Sequence, residues 1–391
     1  MSNSELDYPL TGLKVLDFSR VLAGPFAGRM LSDLGADVVK VEPPDGDVTR
    51  LWGKVVGGAP GYFHQQNAGK RNISIDLRAP GAQALVFDLV RQADILIENY
   101  RPDVMPRLGL GYEALKAVNP RLIMLSISGF GKDGPESKRP AYAPIVHAEV
   151  GLLARTVRRA KVAYQDLPLS VADTNASLHG LVGILAALHL RERTGLGQHV
   201  DMAMVDATLV TDDQIHYELE DSEGTMGLPS DVWETGAGPI LISGDFRFLW
   251  RLLTTKLGVV DPTTSDMELE AKIALRRQTV TNYLSKLTTW NQVAEAMTAI
   301  NMAWGQVRHG ADLRDQPTLR HRGSIVEIDD REGGTRPIPQ SPYRFSNAKS
   351  GVRGPASTRG EHNGQVLGEW LDLPKAAVAA LTEAGVLSAT D

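Results

Sequence analysis

The tightest constraint on this chain is a strand, a helix and a second strand laid end to end between residues 13 and 42. Leu13-Lys-Val-Leu-Asp-Phe18 reads as a strand, and Gly24 to Leu34 reads as a helix opened by Gly24-Pro25 and closed by Gly35. Ala36-Asp-Val-Val-Lys-Val-Glu42 reads as the next strand. Two strands joined by one helix within about 30 residues must lie parallel, with a right-handed crossover.

The pattern repeats downstream. Strands are expected at 72–76, 93–98 and 122–127, with helices at Ala79 to Gln92 and Tyr112 to Val118. The N-terminal half is therefore a Rossmann-like, doubly wound α/β domain. A turn-rich stretch, Ser128-Gly-Phe-Gly-Lys-Asp-Gly-Pro135, precedes a helix from Ala143 to Leu153 and an apolar helix after Asp173. Beyond about Ala207 a smaller α+β domain is expected over 207–330. It has a strand at Gly238 to Ser243 and helices at Phe246 to Lys256, Asp266 to Lys286 and Thr289 to Ala299. The tail 331–391 reads as extended, proline-rich coil closing on short helices at Gly364 to Leu371 and Lys375 to Glu383, completing the large domain 1–206.

Composition removes several kinds of chemistry. The chain has 391 residues and no cysteine, which excludes disulfides, thiolate catalysis and thiolate-held metals. Its nine histidines form no metal-ligating spacing, so no metal is expected. Net charge is −6 with both signs interspersed, which argues against a nucleic-acid partner. No run of roughly 18 apolar residues and no leader is read, so the expected location is cytoplasmic, with no membrane partner.

Three stretches carry candidate chemistry. The turn Leu22 to Gly28 joins a strand to a helix N-terminus, where free N–H groups favour an anion. Lys70, Arg71 and Arg78, with Tyr100, Arg101 and Arg107, are cations and an aromatic ring near strand ends, suited to a phosphorylated nucleotide. Asp173, in Ser170-Val-Ala-Asp-Thr-Asn-Ala-Ser-Leu-His-Gly180, stands just ahead of a buried apolar run. It reads either as a helix N-cap or as a carboxylate nucleophile or base, and spacing alone does not choose between them.

Taken together, the runs 10–44, 67–78, 93–123, 128–135, 178–207, 341–346 and 360–371 resemble the class III CoA-transferases, the CaiB/BaiF family. The resemblance is weakest over 208–330. It implies that Asp173 is the catalytic aspartate, forming an acyl anhydride and then an aspartyl-CoA thioester, and that the substrates are an acyl-CoA and a carboxylic acid. No permanently bound cofactor is implied; coenzyme A is a substrate. The implied CoA contacts are Leu22 and Ala23; Ile75, Asp76, Leu77 and Arg78; Asn99, Tyr100 and Arg101; Arg107; and Pro140, Ala141, Tyr142 and Ala143. It also implies a ring-shaped chain in an interlocked homodimer.

Some family features are missing. Pro43 and Leu22 replace residues that formyl-CoA transferases use, and a four-glycine run is absent, with only Gly224-Thr-Met-Gly227 and Gly236-Ala-Gly238 nearby. Racemases of the family carry Gly-His-Asp where this chain has Ala141-Tyr142-Ala143. A tyrosine is a poor base near neutrality, which favours transfer. The alternatives are an acyl-CoA racemase using Asp173 as base, with His147 the nearest imidazole, and an inactive CoA-binding homologue.

Overall fold

In the computed structural model, which describes residues 7–160, 162–222 and 229–389, the first strand-helix-strand unit forms as expected. Strand β1 (Lys14–Asp17) turns into helix α1 (Ala23–Asp33) and returns as β2 (Asp37–Glu42), with Leu16 opposite Val39 in parallel register. The alternation continues through β3 (Arg71–Ser74), α2 (Ala82–Gln92), β4 (Ile95–Glu98), α3 (Tyr112–Val118) and β5 (Ile123–Ser128). Helices α4 (Ala143–Glu149), α5 (Leu152–Ala160) and α6 (Val171–Thr194) follow, then β6 (His199–Ala203) and α7 (Met204–Thr211). The sheet order is β3-β2-β1-β4-β5-β6, and every neighbouring pair is parallel.

Such a sheet is buried on both faces, which is why its strands are nearly continuous Val, Ile and Leu. One face packs Leu85, Val86 and Leu89 of α2 together with Val366, Leu367 and Trp370 from the end of the chain. The other packs Ala27 and Leu31 of α1 with Ala176, Leu181 and Ile184 of α6. By length and composition α6 would suffice to cross a membrane, its mean hydropathy reaching 1.3. This corrects the expectation that no segment would. In the fold it lies against α1, β5 and α7, and Gly180 lets it approach the sheet, since a Cβ there would sit 2.8 Å from Leu125 Cδ2.

The chain divides into two compact units, 1–213 with 320–391, and 214–319. The sequence reading placed these divisions at 206/207 and 330/331. The second unit holds β7 (Ser230–Thr235), β8 (Gly238–Ser243), α8 (Phe246–Lys256), α9 (Leu269–Leu284), α10 (Trp290–Ala299) and β9 (Ala303–Gln306). Its sheet is antiparallel in the order β9-β8-β7. The three helices bury Leu249, Leu253, Val280, Leu284, Val293 and Met297 against it. Thr289 and Gln292 form a capping box that starts α10. The Gly224 and Gly227 cluster lies outside the described residues.

Two further expectations are overturned. The helix anticipated from Ala143 to Leu153 is two helices, interrupted at Val150-Gly151, where Gly151 takes φ +82°. The tail from Arg331 is not all coil, because β10 (Ile325–Asp329) pairs antiparallel with β11 (Thr335–Pro339). Pro337 and Pro339 masked that strand in the sequence. A two-stranded ribbon tolerates them because each strand keeps an unpaired edge. The chain ends in α11 (Asn363–Leu371) and α12 (Lys375–Glu383) beside β3. There the Ser74 N–H donates to Asn363 Oδ1 (2.9 Å) and the Asp76 N–H to the Val386 carbonyl (3.0 Å).

Gly24 is what lets α1 begin so close to β1, because a Cβ at this position would overlap the Ser19 side chain. Gly24→Ala is expected to destabilise the protein by about 1–3 kcal/mol through overpacking. Denaturant unfolding measures this, and CoA-transfer activity should fall further than the loss of folded protein accounts for.

Candidate active site

The strand order reverses on either side of β1, so the chain leaves β1 and the adjacent β4 in opposite senses and opens a crevice at their carboxyl ends. Ligands of open α/β sheets bind at such a switch point. Residues 18–22 form its wall in a conformation they would not adopt alone. Val21, a β-branched residue, has φ +68°. Its N–H donates to Asp47 Oδ2 (3.2 Å), and Lys40 Nζ donates to both the Ser19 carbonyl (2.8 Å) and Asp47 Oδ2 (3.1 Å). The Asn99 side chain, at the end of β4, accepts from the Arg20 N–H and donates to the Arg20 carbonyl, each at 2.8 Å. The turn thereby delivers Ala23 as the first residue of α1.

Asp173 faces this wall. It is the third residue of α6, with Ser170 at the N-cap position, so the capping alternative is corrected. Ser177, one turn on, sets its hydroxyl against the carbonyls of Ala23 and of Asp173 (2.9 Å to the latter), which ties α6 to the start of α1. Burial pushes the Asp173 carboxyl up to about 6, opposed by the backbone amides of Ala143 and Ala23. Ala23 and Ala143 are the first helical residues of α1 and α4. Three helix starts thus meet at one carboxylate. The Tyr62 phenol is pushed up to about 12, chiefly by burial and then by the charges of Asp173 and Asp47. A carboxylate partly removed from water and met by two backbone N–H groups is suited to nucleophilic attack on a carbonyl.

Asp173 lines a cavity of about 280 Å³ with Ala23, Asn99, Tyr100, Arg101, Pro140, Ala141 and Tyr142. A second cavity, of about 470 Å³, is lined by Ile75, Asp76, Leu77, Arg78 and Tyr100, and also by Pro43. Arg20 and Tyr100 line both, so the two adjoin across the Tyr100 ring. Leu22 and Ala143 are buried behind the walls. Arg107 points away, exposed, and pairs with Asp103 at 3.3 Å.

Two cations proposed from the sequence are also elsewhere. Lys70 is buried against Asp17 (2.7 Å), and Arg71 pairs with Asp37 and with Glu369 (2.5 Å). Sequence reasoning missed Arg20, Ser128, Arg139 and Met204 in the smaller cavity, as well as Tyr62. Arg20 and Ser128 were within reach of the topological argument, since they follow β1 and end β5. Among the described residues no group of three or more His, Asp or Glu could hold a metal ion.

Residues 10–363 match the model of CoA-transferase family III. The chain belongs to this family. It is 33% identical over 386 residues to the succinate–glutarate CoA-transferase of Agrobacterium fabrum, covering 92% of this chain and 95% of that one. It is 30% identical to a probable fatty acyl-CoA transferase of Mycobacterium tuberculosis, covering 93% and 98%. A solved CaiB/BaiF family protein from Brucella suis superposes with a TM-score of 0.77 at 32% identity, over 93% of this chain and all of that one. The protein is accordingly a family III CoA-transferase that uses CoA thioesters.

Keeping a carboxylate here costs stability. The ordinary value for Asp173 is 3.8 and the folded value about 6, so the fold favours the protonated form. That contribution is complete below pH 3.8 and is lost as pH rises through 6. Asp173→Asn should therefore be more stable than wild type above pH 6, by on the order of 2 kcal/mol, and this advantage should vanish below pH 4. Unfolding measured across that pH range checks both the sign and the window.

Proposed function

We propose that Asp173 is the nucleophile that moves CoA from an acyl-CoA donor to a carboxylic acid. Its carboxylate oxygen attacks the thioester carbonyl carbon, the C–S bond breaks, and CoA departs as a thiolate, leaving an acyl-aspartyl anhydride. The thiolate then attacks the aspartyl carbonyl, releasing the donor acid and forming aspartyl-CoA. The acceptor carboxylate attacks that thioester to give a second anhydride and free thiolate. Attack of the thiolate on the acceptor's carbonyl makes the new acyl-CoA and returns Asp173. The observation that carries this reading is the Asp173 carboxylate on the cavity wall with the Ala23 and Ala143 amides acting on it. Those amides also suit the negative charge that develops on the aspartyl oxygen when the thiolate, and later the acceptor, adds to the aspartyl carbonyl.

The larger cavity, with Arg78, would take the nucleotide end of CoA, and the Asn99 to Arg101 loop would lie along the chain leading to the thioester. Arg20 and Arg101 line the reaction cavity without an acidic partner among the described residues, so an acid with a second carboxylate suits it better than a plain alkyl acid. The racemase alternative lacks a second base beside Asp173, because Tyr142 lines the cavity in place of a histidine and His147 is engaged with the backbone of Ala172. We place two copies together through Leu178, Val182 and Leu185, exposed on one face of α6.

Asp173→Ala and Asp173→Asn should lower CoA exchange by about a thousandfold or more. Hydroxylamine added during turnover should convert Asp173 to a hydroxamate visible by mass spectrometry. Exchange that survives in either variant, or α-carbon deuteration without CoA exchange, would refute the nucleophile role. Because the ionised form attacks, kcat/KM should rise with pH through about 6 and level off above it. Succinate and glutarate should outperform butyrate as acceptors in the same assay.

A further inference from the structure

We propose that His147 is a positioning residue for Asp173, acting as the cap of the helix that carries it. The proposal rests on the nucleophile reading above. The first turn of any helix has N–H groups with no acceptor inside the helix, and these are normally met by a side chain at the N-cap. In α6 that local cap is missing, since the Ser170 side chain makes no capping hydrogen bond. Asp173 sits within the first turn and lines the reaction cavity, which leaves the capping role to another residue.

The acceptor comes from a different helix. The Ala172 N–H donates to His147 Nε2 at 3.2 Å, and the imidazole is 0% exposed. A neutral imidazole has one N–H and one lone pair. With Nε2 accepting, the ring proton lies on Nδ1 and is donated to Asp166 Oδ1 at 2.9 Å. Asp166 therefore selects the tautomer, the tautomer leaves a lone pair on Nε2, and that lone pair holds the amide of the residue immediately before Asp173.

The same helix acts on Asp173 a second time. Ala143, the first residue of the same helix, turns its free backbone N–H toward the Asp173 carboxylate, one turn before His147. Helix α4 thus acts on this segment twice, through the His147 ring at Ala172 and through its N-terminal amide at Asp173. The effect falls on the orientation of the nucleophile relative to the thioester, because His147 lines neither the reaction cavity nor the nucleotide cavity.

The test compares His147→Leu, His147→Gln, Asp166→Ala and Asp173→Asn in the full chain. Leucine fills similar space without a polar atom, whereas glutamine can accept from Ala172 with its oxygen and donate to Asp166 with its nitrogen. His147→Leu is expected to lose about tenfold in kcat while KM for acyl-CoA stays within about twofold, because misorientation acts on the chemical step. Deuterium exchange at the Ala172 amide should quicken by about tenfold in the same variant. His147→Gln should recover most of both losses, and Asp166→Ala should fall between.

A His147→Leu enzyme with kcat within twofold of wild type overturns the proposal, as does equal damage from glutamine and leucine or a rise in KM that matches the fall in kcat. Should His147→Leu not fold, Asp166→Ala, altered at a half-exposed side chain, must lower kcat at constant KM for the proposal to stand. Activity persisting in Asp173→Asn would remove the nucleophile reading alone. The exchange rate at Ala172 would still report whether His147 caps the helix.

Discussion

Two lysines without access to water, Lys40 and Lys70, hold the carboxyl ends of the central strands in place. Lys70 Nζ reaches Asp17 (2.7 Å), Asn67 (2.9 Å) and the Pro25 carbonyl (2.8 Å), and Lys40 reaches Asp47 and Ser19. Burial alone would push the Asp17 carboxyl up, but the charges of Lys70 and Lys40 and its hydrogen bonds bring it below its ordinary value. Burial likewise pulls Lys70 down to about 8, with the Asp17 charge opposing it. Removing one member of such a set leaves an uncompensated buried charge, which costs about 3–5 kcal/mol. The cluster underlies the turn at 18–22, and through that turn it sets where the Ala23 amide points.

The site is assembled from parts that no single element could supply. Helix α6 brings the carboxylate, α1 and α4 bring one amide each, and the loops after β3 and β4 build the walls of the groove. Each contribution comes from the end of a rigid element, where unpaired backbone groups and side chains meet. Two costs are concentrated here. Val21 is held at a backbone angle a β-branched side chain disfavours, and Asp173 is kept partly out of water, which works against its ionised form. Both are sustained by surrounding hydrogen bonds that over-determine the local geometry.

Much of the fold is readable in the sequence, and the reasons are local. Gly24-Pro25 opening a helix, Gly35 closing it, and apolar runs short enough to be strands dictate the first unit, and parallel pairing follows from its length. That the groove lies at the ends of β1 and β4 also followed, because open sheets bind ligands there. Position within an element was less legible. Asp173 could be read as an N-cap because caps are often acids near a helix start, and only the location of Ser170 at the N-cap removes that reading.

What the sequence by itself determined is the alternation of elements and the candidate loops, since both depend on residues near one another in the chain. What only the tertiary structure decided is the set of partners brought from far away. Lys70 and Arg71 looked like ligand-binding cations until Asp17, Asp37 and Glu369 were found to claim them. The β10–β11 ribbon stayed hidden because prolines mask strand periodicity and its pairing needs a second segment. His147 stood out in the sequence only as the nearest imidazole, with no sign of a capping role. Its role comes from Asp166 on one side and Ala172 on the other, 19 and 25 residues along the chain, and a hydrogen bond across that separation leaves no local pattern to read.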